Sequence, residues 1–125
     1  MLKESRQEKY STALEKVISE IKKNGFSEIY ADYDGYEKPT GLTNQRNNHT
    51  YIPDVTAKNG SGQKYYFEIS KKVSDTTRLV NKWKLLGTLA QIKQSNFKIF
   101  APHGTMRFTR ELIDQHNIQA ELVKL

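Results

Sequence analysis

The chain has 125 residues, 36% hydrophobic and 27% charged, which is the make-up of one globular domain able to bury a core without staples. Zero cysteines exclude a disulfide scaffold and a thiolate zinc site, and they fit a cytosolic protein. No apolar run reaches the roughly 18 residues of a membrane span, and residues 1–6 enter a charged helix without a signal-peptide pattern. A cytoplasmic protein with no membrane association is therefore expected. The net charge of +6 is uneven: residues 58–98 hold nine Lys/Arg against Glu68 and Asp75, giving +7. Residues 1–57 hold eight bases and nine acids, and residues 99–125 hold three of each. A localised basic field suits a polyanion such as nucleic acid; solvated helix lysines are the bland alternative.

In chain order, residues 4–24 read as an amphipathic helix, with Tyr10, Leu14, Val17, Ile18 and Ile21 at helical spacing and Asn24-Gly25 as its stop. Residues 26–34 alternate as a first strand, on which Glu28, Asp32 and Asp34 would share one face. Residues 35–49 are polar and rich in turn formers, and predict a long functional loop. Two short strands follow, 51–55 and 65–69, folded back by the turn Asn59-Gly60-Ser61-Gly62. Ser74-Asp75 looks like a helix N-cap, with Leu79, Trp83, Leu86 and Ala90 as the buried stripe of a helix to about residue 95. A strand at 97–101, a helix at 106–116 and a strand at 118–123 complete the chain. The order αβββαβαβ implies an α/β fold, a single domain whose mixed central sheet has helices on both faces.

The hairpin carries the chemistry. Asp54 closes one strand and Glu68 lies inside its partner, so a tight hairpin brings two carboxylates close enough to share one Mg²⁺. Side chains alternate along a strand, placing Glu68, Ser70 and Lys72 on one face and Ile69 and Lys71 on the other. A divalent ion there can polarise a phosphate, and a nearby lysine can neutralise developing charge. His49, His103 and His116 lack metal-ligand spacing, although His103 follows a strand end where phosphate could be touched. Trp83 reads as core.

Pro53-Asp54, thirteen residues, then Glu68-Ile69-Ser70 resembles the PD-(D/E)xK motif of the restriction-endonuclease-like nucleases. The element order is similar too, and the extra final helix–strand step resembles small members of the Holliday-junction-resolvase type. The resemblance spans about residues 4–101 in topology and about five residues in motif. It implies a Mg²⁺-dependent DNA endonuclease (Mn²⁺ also serving), with Asp54, Glu68 and the Ile69 carbonyl holding the metal. A first-helix acid completes the site in such proteins; Glu15 is preferred and Glu20 is the alternative. It also implies a homodimer, as small nucleases of this kind often act on two strands.

The departure is Ser70, neutral and short where the family has lysine. Lys71 faces away, and Lys72 faces correctly but lies about 13 Å along an ideal strand from Glu68. Lys82 of the following helix is the best remaining donor. Arg46, Lys71, Arg78 and Lys84 are the expected phosphate contacts. A binding module that has lost catalysis, or a small accessory interaction protein, are the alternatives.

Overall fold

The structure is a computed structural model and describes residues 6–125. Its elements are α1 (Arg6–Lys23), β1 (Ser27–Ala31), β2 (Leu42–Thr43), β3 (Thr50–Tyr51), β4 (Val55–Lys58), β5 (Lys64–Ile69), α2 (Thr77–Ile92), β6 (Phe97–Ala101), α3 (Met106–His116) and β7 (Glu121–Lys124). Five strands form one sheet in the order β1-β4-β5-β6-β7. The first three are antiparallel, and β5, β6 and β7 run parallel. Parallel neighbours need a crossover, and α2 and α3 supply the two. The sheet is therefore mixed and its elements follow αβββαβαβ, with β2 and β3 inserted as a separate antiparallel ribbon.

Alternation along β5 divides the core. Phe67 and Ile69 pack with Leu14, Val17, Ile18 and Ile21 of α1, together with Val55, Ala57 and Phe100. Tyr66 faces the other way, onto Trp83, Leu86 and Ala90 of α2 and Leu112 of α3. Each large apolar side chain buried this way stabilises the fold by about 1.5–3 kcal/mol. Glu68 shares the Tyr66 parity, which sends a carboxylate into the α2 layer. Among the described residues no helix is long and apolar enough to cross a membrane.

Several boundaries differ from the sequence expectation, each for a local reason. The expected helix start at residues 4–5 lies outside the described residues. The first strand stops at Ala31 because residues 32–36 turn, with Gly35 at φ 90° and Tyr36 N–H donating to the Tyr33 carbonyl. Glu28 sits at an irregularity of the β1–β4 pairing with φ 49°, so it shares no strand face with Asp32 and Asp34. The loop 35–49 is partly folded, since Leu42 pairs with Tyr51 and Thr43 with Thr50. The strand expected at 51–55 is accordingly split: Tyr51 belongs to the ribbon, Pro53 offers no N–H, and β4 begins at Val55. The Ser74-Asp75 cap is displaced, for α2 starts at Thr77 after Thr76. Asp75 Oδ1 still accepts the Thr77 N–H at 3.0 Å, and that bond holds its carboxyl below its ordinary pKa. The last strand starts at Glu121, after Asn117 ends α3 in the left-handed conformation at φ 51°.

Candidate metal centre and basic cleft

Val55 pairs with Phe67, so one step outward Asp54 stands opposite Glu68. Asp54 lies beyond the ladder, and its free N–H donates to Glu68 Oε2 at 2.8 Å. Asp54 Oδ2 in turn accepts the Ile69 N–H at 2.8 Å. The two acids are thus locked by reciprocal carboxylate–backbone bonds across the end of β4 and β5. Along a strand the N–H and C=O of one residue face the same edge, so the Ile69 carbonyl also faces the Asp54 side.

Three side chains close the cluster. Lys82 Nζ lies 3.1 Å from Glu68 Oε1 and 4.0 Å from Asp54 Oδ1. The Trp83 indole N–H donates to Glu68 Oε1 at 3.2 Å. The Tyr10 hydroxyl donates to Asp54 Oδ1 at 2.8 Å. Burial and the charge of Asp54 raise the Tyr10 phenol well above its ordinary pKa, which keeps it a proton donor. Glu68 is 1% exposed. Burial and the Asp54 charge push its carboxyl up to about 8, against the opposing pull of Lys82 and the Asp54 N–H. All its hydrogen-bond partners are donors, and those bonds favour the ionised form.

The donor set fits a hard divalent ion. The Lys82 ammonium stands within ion-pair range of both carboxylates, at 3.1 and 4.0 Å. Magnesium keeps several waters and needs only one or two carboxylates. Among the described residues no third His, Cys, Asp or Glu joins the pair. Glu15 is not brought to it; that exposed carboxylate interacts with Tyr33 instead, and Glu20 lies further along α1 beside Val123 and Leu125. Tyr10, one helical repeat before Val17, takes the α1 place at the centre.

Ser70 is 1% exposed, and its hydroxyl meets Thr109 Oγ1 of α3 at 2.5 Å. Residue 70 therefore faces α3, and Lys82 alone among the candidate lysines reaches the acids. Lys72 is exposed and lines a cleft of about 340 Å³ with Lys9, Lys71, His103 and the start of α3. Tyr10 and Ile69 form the wall shared by this cleft and the acidic pair. Lys71 Nζ stands 5.2 Å above the Tyr10 ring, an arrangement that holds the ammonium beside the site. Arg78 is committed to the ribbon: its guanidinium lies 4.8 Å from the Tyr51 ring centroid and donates to the Thr50 carbonyl at 2.9 Å. Arg46 and Lys84 both line a second cleft, between the ribbon and α2.

Tyr10, Lys9 and the Trp83 N–H were not among the candidate site residues of the sequence. Tyr10 and Trp83 read as apolar-stripe residues, and only the docking of α1 and α2 aims their polar ends. No family model, curated protein or solved structure matches this chain.

Proposed function

We propose that this chain is a small metal-dependent DNA endonuclease of the restriction-endonuclease-like kind, with Asp54 and Glu68 holding Mg²⁺ or Mn²⁺. The observation that carries the reading is the opposition of Asp54 and Glu68 across β4 and β5, bridged by the Lys82 ammonium. When bound, the ion supplies positive charge against the charge developing on a phosphodiester. Lys82 takes the role vacated at Ser70: freed from bridging the acids, its ammonium neutralises charge on the reacting phosphate. Tyr10 and the Ile69 N–H orient Asp54, and Trp83 with the Asp54 N–H orients Glu68. Lys9, Lys71, Lys72 and His103 hold flanking phosphates in the adjoining cleft. One such site cuts one strand, so cutting both strands together calls for two copies of the chain.

The second reading is a nucleic-acid-binding module without catalysis. It is favoured by one observation: each of the four carboxylate oxygens already takes a protein donor, and Glu68 is closed from solvent. Cleavage of plasmid, branched and single-stranded DNA with Mg²⁺ or Mn²⁺ separates the two. Asp54→Asn, Glu68→Gln and Lys82→Met each lose about 100-fold or more in rate, whereas Lys72→Met loses less than about tenfold. DNA binding with no cutting under any condition would establish the second reading. Acid variants that cut at the wild-type rate would dispose of the site.

A further inference from the structure

We infer that the β2–β3 ribbon is a base-reading arm that enters a groove of duplex DNA and sets where the protein binds. The inference rests on duplex DNA as the substrate, and not on its cleavage.

The ribbon is short but firmly seated. Leu42 packs against the α2–α3 core, Tyr51 is buried, and the Thr43 and Thr50 hydroxyls meet at 3.0 Å. Arg78 clamps Thr50 and Tyr51 onto the start of α2. Gly41 permits the close approach of Thr50, because a Cβ there would come within 2.8 Å of Thr50 Cγ2.

The tip is satisfied from within. Asn44 Oδ1 accepts the Arg46 N–H and Asn47 Oδ1 accepts the His49 N–H, both at 2.9 Å. The Asn48 N–H donates to the Asn44 carbonyl at 2.8 Å, and Asn48 adopts φ 58°, which asparagine tolerates better than most residues. What remains for a ligand is Gln45, Arg46 and Asn48, three exposed side chains with no hydrogen bond or ion pair from the side chain among the described residues. A turn closed by its own hydrogen bonds thus presents one guanidinium and two carboxamides.

Those groups select among nucleic-acid targets. Phosphate binding is carried by cations, and Asn44 to His49 contain one permanent cation, Arg46. Carboxamides pair bidentately with adenine and guanidinium with guanine, the pairings by which base edges are read. The major groove of B-DNA admits a two-stranded ribbon, whereas that of A-form RNA is too narrow for side chains to read. Lys84 of α2 lines the same cleft of about 650 Å³ as Gln45 and Arg46, which sets a cation for phosphate beside the tip. Only Ile52 and Pro53 separate the ribbon from Asp54, so an arm lodged in a groove fixes the register of the strand at the candidate centre.

The test is selection of bound sequences from random DNA duplexes without divalent metal, followed by affinity measurement on selected and unrelated duplexes. The variants are Gln45→Ala/Arg46→Ala/Asn48→Gly, which keeps the turn-building Asn44 and Asn47, and Arg46→Lys, which keeps the charge but not the fork. Wild type enriches a recurring pattern and binds it at least about tenfold tighter than unrelated duplex. The triple variant reduces that ratio to within about twofold, and Arg46→Lys reduces it while unrelated-duplex affinity stays within about threefold of wild type. The inference is overturned if wild type enriches no pattern, if the triple variant keeps the wild-type ratio, or if duplex DNA is not bound at low salt. A protein that never cuts yet shows a ribbon-dependent pattern removes the nuclease reading alone. One that cuts without any pattern removes the ribbon proposal alone.

Discussion

Glu68 is a carboxylate whose burial and whose neighbour Asp54 oppose its charge, against the pull of the Lys82 ammonium. Its pKa rises from the ordinary 4.5 to about 8 through burial first and the Asp54 charge second. The sign of the linkage follows: between about pH 4.5 and 8 the folded state binds more protons at this group than the unfolded state, so its contribution to stability falls as pH rises. The melting temperature of metal-free wild type should therefore drop between pH 5 and pH 8 by more than that of Glu68→Gln, which has no carboxyl to ionise. Magnesium should raise the wild-type melting temperature more at pH 8 than at pH 5.5 and leave Glu68→Gln almost unmoved. Parallel pH slopes for the two proteins would show that Glu68 does not titrate in this window. The acidic pair was legible because a hairpin with one turn fixes its register, and Lys82 because it lies one helical step from Leu79 and Leu86. Tyr10 was not legible, since its hydroxyl finds Asp54 only through the way α1 lies on the sheet.

At the scale of elements, α2 places Lys82 and is itself placed by Gly87. A Cβ at residue 87 would stand 2.7 Å from the Gln119 carbonyl oxygen, in the segment joining α3 to β7. Two effects oppose each other in Gly87→Ala. Alanine gains roughly 0.5–1 kcal/mol in helix propensity, while forcing backbone apart in a packed layer costs about 1–3 kcal/mol. The clash is the larger, because its partner is main chain and cannot swing aside. Gly87→Ala should lower the unfolding free energy in urea by about 1–2 kcal/mol, and Thr88→Ala, on the exposed face next to it, should be neutral or slightly stabilising. A stabilised Gly87→Ala would mean that α2 is free to shift. Helical period revealed the stripe of α2, but a glycine in that stripe says nothing of a neighbour so far along the chain. The ribbon is not legible for a different reason: two-residue strands rich in threonine, with asparagine at the tip, carry no alternation.

For the whole molecule, charge is sorted by folding more than by sequence. The basic excess of residues 58–98 includes Lys58 and Lys98, which are spent on Glu28 at 3.6 Å and Glu121 at 3.4 Å. The cleft instead joins Lys71 and Lys72 with Lys9 of α1, from residues 1–57, whose eight bases and nine acids nearly balance. Two kinds of contact are then separable on one substrate. Lysines in the cleft should hold phosphates and bind every sequence alike, while the ribbon should discriminate between sequences and add little salt dependence. Each phosphate contact contributes about −0.9 to the slope of log affinity against log salt. Replacing Lys9, Lys71 and Lys72 together by glutamine should therefore flatten that slope by about 2.7 and weaken selected and unrelated duplexes by the same factor. Replacing Lys98 by glutamine should leave the slope nearly unchanged, because its ammonium already has a partner. A triple variant that kept the wild-type slope would place the phosphates somewhere other than the cleft beside Asp54.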